Sequence, residues 1–270
     1  MDERQVSVRG GMFEADVLEG GSGAPLLYLH GIGGLQWDDH LERLSASHRV
    51  IAPRHPGFGG STGNDELGDI QDLVYYYLDL LDAFDLRGLP VVGHSLGAMI
   101  AAELAAVQPE RFTKVVLISP FGLWNGEHPG LDIFGSTPGE FASSLFHDAE
   151  SDAAQAVAGR PPRTGSAGAA EGAQNEAFIE FMLERAKAMS TTAKYLWPIP
   201  NKGLNKRIHR VSQPVLLVWG DSDGITPPEL AGDYAALLPG ARIEHVVDAA
   251  HMVPAEQPER VAELVSGFLG

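Results

Sequence analysis

Short apolar runs of strand length alternate with longer stretches of helical periodicity in both outer parts of the chain. Residues 26–29, 50–52, 91–92, 115–118 and 215–219 are apolar on both faces, and 243–247 is a weaker run of the same kind. A strand that is apolar on both faces must be covered on both, which suits a sheet lying between helices. Within residues 69–85, Ile70, Leu73, Val74, Tyr77, Leu78, Leu81 and Phe84 recur at the three- and four-residue spacing of one helix face. Leu96, Met99, Ile100, Leu104 and Val107 repeat that spacing until Pro109 stops it, and Val261, Leu264, Val265 and Phe268 form a last stripe after Pro258. The alternation predicts an α/β fold, a mostly parallel sheet with helices on both faces. Residues 5–18 are read as antiparallel edge strands.

The alternation breaks between residues 121 and 210. No buried strand is evident there, and helices are expected over residues 138–147 and 175–197. Between them, Gly, Ala, Ser and Pro fill 10 of the 14 positions from 159 to 172, which predicts a mobile loop. The chain therefore divides into a core of residues 1–120 and 211–270, interrupted by a helical insertion over 121–210.

Charge narrows the partners. The formal net charge is −17, and no long Lys/Arg cluster offsets it. An acidic chain is repelled by nucleic acid and by anionic membrane surfaces. There are no cysteines, which excludes disulfides, thiolate metal sites and Cys nucleophiles. The start Met1-Asp2-Glu3-Arg4 does not read as a signal peptide, and no apolar run nears the roughly 20 residues that span a bilayer. A cytoplasmic protein acting on a small molecule is the expectation, as a monomer or a homodimer.

Gly-x-Ser-x-Gly marks a nucleophile elbow, a strand–turn–helix that lifts a serine into a site. By composition about 0.2 matches would arise by chance, and this chain has three, at 59–63, 93–97 and 220–224. Only Gly93-His94-Ser95-Leu96-Gly97 lies between an apolar run and a helical stripe. Ser61 sits in a glycine-rich loop, and Ser222 lies between two aspartates with Pro227-Pro228 delaying any helix. Ser95 is therefore the candidate nucleophile.

A serine hydroxyl needs a base to take its proton and a carboxylate to orient that base. In this arrangement the chain order is serine, acid, histidine. His251 lies just after the last strand, at the strand end where open α/β sheets build sites. His245 lies inside the strand itself, and His128, His147 and His209 fall in the insertion as surface residues. The acid belongs after the preceding strand, where Asp221 and Asp223 both stand; Gly224 lets the chain turn sharply beside Asp223, which is favoured. Asp248 is too near His251 in sequence to be a comfortable partner. His30-Gly31-Ile32-Gly33-Gly34 follows the first apolar run. Its glycines permit a tight turn that aims an amide inward, so the amides of Ile32 and Leu96 are the expected oxyanion donors. His30 is read as a structural hydrogen-bonding residue. There is no Gly-Lys-Ser/Thr and no G-x-G-x-x-G, so the loop does not read as a phosphate cradle.

Taken together, His30-Gly31, Gly57-Phe58-Gly59-Gly60-Ser61, Gly93-His94-Ser95-Leu96-Gly97, Trp219-Gly220-Asp221-Ser222-Asp223 and Ala250-His251 resemble the α/β-hydrolase superfamily. The resemblance covers residues 20–120 and 210–270. It implies an eight-stranded core, a helical cap after the sixth strand, and Asp223 as the acid. One departure stands out: the usual Asp-x-Pro-Gly is here Arg54-His55-Pro56-Gly57, without its structural carboxylate. Ser95 argues against the relatives that use an Asp nucleophile.

The function expected is hydrolysis of carboxylic esters, lactones or thioesters through an acyl-enzyme on Ser95, with no cofactor and no metal. Trp124, Phe141, Phe146, Phe178, Phe181, Met182 and Trp197 are candidates to line the pocket, although packing within the insertion accounts for most of them. The alternative is carbon–carbon bond hydrolysis of a vinylogous diketone, whose enzymes more often carry G-N-S-M-G. A cofactor-free haloperoxidase and a non-catalytic receptor rank lower.

Overall fold

A computed structural model describes residues 1–158, 170–199 and 202–270. Eight strands form one sheet: β1 (Asp2–Val8), β2 (Phe13–Gly20), β3 (Ala24–Leu29), β4 (His48–Pro53), β5 (Leu89–His94), β6 (Phe112–Ile118), β7 (Val215–Gly220) and β8 (Arg242–Val246). Their order is β1-β2-β4-β3-β5-β6-β7-β8. The β1/β2 and β2/β4 pairings are antiparallel, and every other pairing is parallel. The expected edge strands are thus present, and the sheet is mixed.

Alternate strand residues feed two cores, one on each face. Leu27, Leu29, Val91, Val115, Leu117 and Leu217 pack with α2 (Ile70–Ala83) and α3 (Leu96–Val107). Leu26, Tyr28, Val92, Val116, Ile118 and Leu216 pack on the opposite face with α1 (Asp39–Ser45) and α9 (Pro258–Leu269). Helix α2 starts where the Asp69 side chain caps the amides of Gln71 and Asp72, at 2.8 and 3.1 Å. Helix α3 is apolar almost all round, and all but its last residue are buried, as a central helix requires. Its one charge, Glu103, is fully buried and is answered by Arg207 Nε at 2.7 Å.

Between β6 and β7 the described residues hold helices and no strand: α4 (Pro138–Leu145), α5 (Asp152–Ala158) and α6 (Ala170–Leu196). Helix α6 begins at Ala170, so the end of the expected loop is helical; residues 159–169 lie outside the described set. After β7 come α7 (Leu230–Leu237) and, beyond β8, the short α8 (Val253–Glu256). Among the described residues no helix is long and apolar enough to cross a membrane.

The order of strands places the site. From β3 the chain moves out to β4, whereas β5 lies on the other side of β3. The loops leaving β3 and β5 therefore diverge and open a crevice at the C-terminal edge, the switch point where open α/β sheets bind ligands.

Candidate active site

Ser95 alone makes the turn from β5 into α3. Its φ of 59° and ψ of −118° lie where a non-glycine residue is strained by about 1–3 kcal/mol. Neighbouring backbone holds the turn: the Ser95 amide donates to the Ile118 carbonyl at 2.9 Å, and its carbonyl accepts the amides of Ala98 and Met99. The flanking glycines are required by contact. A Cβ on Gly93 would stand 2.4 Å from the Gly97 carbonyl oxygen, and one on Gly97 would stand 2.1 Å from that of Leu29.

The structure brings together the serine, histidine and aspartate expected from sequence. His251 Nε2 is 2.8 Å from Ser95 Oγ, and its Nδ1 is 3.0 and 3.1 Å from the two Asp223 oxygens. All three residues are buried. Asp223 Oδ1 accepts the amides of Ile225 and Thr226, each at 2.9 Å, and Oδ2 accepts the Thr226 hydroxyl at 2.9 Å. An ionised carboxylate only accepts, so Nδ1 carries the imidazole proton and Nε2 is left to accept from Ser95. Sequence reasoning missed Thr226. The signal available was an Asp followed three residues later by Thr, a turn in which side chains satisfy local backbone.

The competing candidates lie elsewhere. Ser61 Oγ donates to the Arg54 carbonyl and accepts the Asp16 amide, which clamps a loop. Ser222 Oγ meets His147 Nδ1 at 2.9 Å. Asp221 is paired with His245 at 3.1 Å on the surface, and Asp248 is largely exposed. His128 is 3.8 Å from Glu229, and His209 is exposed.

Three further histidines frame the site in fixed neutral forms. His30 Nδ1 donates to the Gly31 carbonyl at 2.7 Å, and its Nε2 accepts the His55 amide at 3.0 Å. His55 Nε2 donates to the His30 carbonyl at 2.8 Å, which leaves its Nδ1 to accept from the Tyr77 hydroxyl. The two rings stack with centroids 3.7 Å apart. Burial pushes His30 well below the usual histidine range and His55 to about 4. His94 Nε2 donates to the His251 carbonyl at 2.8 Å. Burial, with His251 close by, lowers it to about 3.

The loop after β3 lies directly on Ser95: a Cβ on Gly31 would be 2.9 Å from that of Ser95. Leu96 is the first residue of α3, so its amide has no acceptor within the helix. Neither it nor the Ile32 amide donates to any described loop carbonyl. The loop after β4 is held by a carboxylate from another strand. Asp16 on β2 pairs with Arg54 and accepts the Gly60 amide at 3.2 Å, supplying from a distance the acid that the Arg54-His55-Pro56-Gly57 segment lacks.

Helix α4 ends against both loops that carry the acid and the histidine. The Ser144 carbonyl accepts the Gly224 amide at 3.3 Å, and the Leu145 carbonyl accepts the Met252 amide at 3.0 Å.

Two cavities flank residues 32–36. One of about 200 Å³ contains Ser95, His94, His251, Tyr28 and Asp38. The other, of about 350 Å³, is walled by Phe58, Phe141, Leu145 and Met189, with Arg54 and Glu184 among its polar lining. Of the aromatic and Met candidates in the insertion, Phe141 thus lines a cavity beside the site. Trp124 lines a separate hollow with Asn125 and Asp233, Phe146 is buried, Met182 is exposed, and Trp197 packs edge-on to Phe134. The side chains of Phe178 and Phe181 lie outside the described set. Among the described residues no three His, Asp or Glu side chains are grouped to hold a metal ion.

Residues 24–258 match the family model of the alpha/beta hydrolase fold. The chain belongs to the α/β-hydrolase family. Among its relatives, the dihydrolipoyllysine-residue acetyltransferase component of the acetoin cleaving system of Pseudomonas putida is 28% identical, over 98% of this chain and 69% of that one. A 2-hydroxymuconate semialdehyde hydrolase of a Pseudomonas species is 26% identical, over 93% of this chain and 88% of its own length. Among solved structures, a bacterial membrane phospholipase A superposes with a TM-score of 0.79 at 23% identity, covering 99% of this chain and 85% of that one. That last likeness is one of α/β-hydrolase fold.

Proposed function

We propose that the protein is a serine hydrolase of carboxylic esters, lactones and thioesters included. The observation that carries the reading is the buried line from Ser95 Oγ through the His251 ring to Asp223, with contacts of 2.8 and 3.0 Å. Ser95 Oγ attacks the substrate carbonyl while its proton passes to His251 Nε2. Asp223 holds the ring and stabilises the charged imidazolium. The amides of Ile32 and Leu96 receive the developing oxyanion, each worth roughly 3–4 kcal/mol at comparable sites. His251 then protonates the leaving oxygen, and water repeats the sequence to release the acid. No cofactor enters these steps. Residues 121–210 act as a cap that shapes the pocket over this chemistry, and the partner is a small ester-like molecule.

Carbon–carbon hydrolysis of a vinylogous diketone is the second reading, and the relative named as a 2-hydroxymuconate semialdehyde hydrolase favours it. Against it, the cavity at Ser95 is lined by Asp38 and Asp39 and, among the described residues, by no Lys or Arg, which disfavours a carboxylate-bearing substrate.

The test is hydrolysis of p-nitrophenyl butyrate by the wild type and by Ser95→Ala, with circular dichroism on both. Loss of a serine nucleophile costs on the order of 10⁴–10⁶ in turnover. Equal activity in both proteins removes Ser95 from the mechanism. A wild type that cleaves a coloured dienone and spares the ester favours the second reading.

A further inference from the structure

The two cavities beside residues 32–36 differ in chemistry. The larger is walled mainly by apolar side chains and does not reach Ser95 or His251. The smaller contains both. His251 must hand its proton to the leaving oxygen, so the leaving alcohol has to lie on the His251 side of Ser95. Of the two cavities, the smaller is the one that His251 lines.

Its deep end is polar. Tyr28 is on β3 two residues before His30, about 7 Å further into the sheet at strand spacing. The residue is 5% exposed and lines the cavity, yet its hydroxyl is not among the buried polar atoms that lack a partner, so the oxygen opens onto the cavity space. A phenol facing an open cavity bonds whatever enters it, water or a polar ligand group. Burial and the nearby Asp38 push its ionisation upward, so it stays a neutral phenol able to donate and accept. Asp38 lines the same end, with one oxygen on the Leu41 amide at 3.0 Å. Asp39 lines the cavity too, and Arg43 answers it from the outside at 2.8 Å. His30 and His94 are held neutral by the hydrogen bonds described above. Among the described residues no Lys or Arg lines the cavity.

We propose that this cavity is the alcohol-side subsite for esters of short alcohols that carry a second hydrogen-bond donor, a hydroxyl or an ammonium, received by Tyr28 and Asp38. The proposal rests on the serine-hydrolase reading. The Tyr28 hydroxyl accepts from or donates to the distal group, and the Asp38 carboxyl accepts from it. A distal carboxylate meets Asp38, which among the described residues has no ion-pair partner, while Arg43 is taken by Asp39. A distal methyl leaves the phenol unpaired.

Three butyrate esters of matched length test this by acid release in a pH-stat: n-pentyl, 4-hydroxybutyl and 3-carboxypropyl. In the wild type, kcat/KM for the hydroxybutyl ester should exceed that for the pentyl ester at least about tenfold, because a site built to bond a hydroxyl discriminates against its absence. The carboxypropyl ester should be the poorest. Tyr28→Phe, and separately Asp38→Asn, should bring the hydroxybutyl-to-pentyl ratio to within about threefold of one. A wild type without preference, or a preference that survives both substitutions, overturns the proposal. A small fluorophosphonate separates the two levels of failure. If it labels Ser95 and the esters turn over alike, only the subsite falls. If Ser95 stays unlabelled and no ester is cleaved, the hydrolase reading falls and the subsite with it.

Discussion

Glu256 accepts the backbone amide of His147 at 2.7 Å with one carboxylate oxygen, and with the other it accepts the amide of Ala250, also at 2.7 Å. Ala250 immediately precedes His251, so the end of α4 and the histidine loop hang on one side chain. Hydrogen bonds to a charged group contribute about 1.5–3 kcal/mol. Glu256→Ala should therefore lower the thermal midpoint by about 3–10 °C. It should also reduce kcat by about tenfold or more with KM within about threefold, because the histidine loop loses its anchor. Steady-state kinetics and a thermal scan check both, and an unchanged kcat would show that Ser144 and Leu145 suffice to hold the loops.

Thr226→Val removes the hydroxyl on Asp223 Oδ2 while keeping the shape of the side chain. The two backbone amides on Oδ1 remain. One hydrogen bond to a buried charge corresponds to roughly 10- to 150-fold in rate if it is expressed in the transition state. A fall in kcat of that order with a folded protein would assign Thr226 to positioning the acid. The side chain does not reach the substrate in this reading, so KM should stay within about threefold.

Two glycine substitutions should move stability in opposite directions. Gly97→Ala drives a Cβ to 2.1 Å from the Leu29 carbonyl oxygen and should prevent folding or cost more than about 4 kcal/mol. Gly232→Ala, inside α7 with nothing within 4 Å of its new Cβ, should stabilise by about 0.4–1 kcal/mol. Denaturant midpoints of the two variants read this directly.

Stability should fall on mild acidification. His30, His40, His55 and His94 are buried, and burial lowers all four, His40 and His55 to about 4 and His94 to about 3. In the unfolded chain they titrate near 6.5. Between about pH 6.5 and 4 the unfolded state therefore binds more protons than the folded one, so stability is intact above this window and is lost as pH falls through it. Each fully differing ring contributes about 1.4 kcal/mol per pH unit. Urea midpoints at pH 7.5 and 5.0 should differ clearly, and equal midpoints would mean that these rings are already solvated.

The centre of the sheet was legible because its parallel strands are apolar on both faces, whereas β8, with Arg242, Glu244 and His245 in five residues, gave only a weak run. Helix α3 was legible from the three- and four-residue spacing of Leu96, Met99, Ile100, Leu104 and Val107 and from Pro109 after it. Helix α1 was not: it has seven residues, and only His40, Leu41 and Leu44 are buried, too few to set a period. Helix α7 was obscured by Pro227 and Pro228, and the start of α6 by the glycines around its alanines. At the site, Ser95, Asp223 and His251 could be read because each follows a strand. Asp16 and Glu256 could not, since each acts on backbone far away in sequence: Asp16 on Gly60, and Glu256 on His147.

Arg54 lines the larger cavity, and its guanidinium is held by Asp16 on β2 and by Glu3 on β1, the latter at 2.6 Å. The first two strands look like trim on the edge of the sheet, yet they hold the charge that the loop after β4 brings to that cavity. With both carboxylates in place, Arg54 enters the cavity wall already paired, beside Glu184 and Arg185. Changing the amino-terminal hairpin would therefore alter the charge of a hollow beside the site from the rim of the protein, without touching the Ser95–His251–Asp223 line.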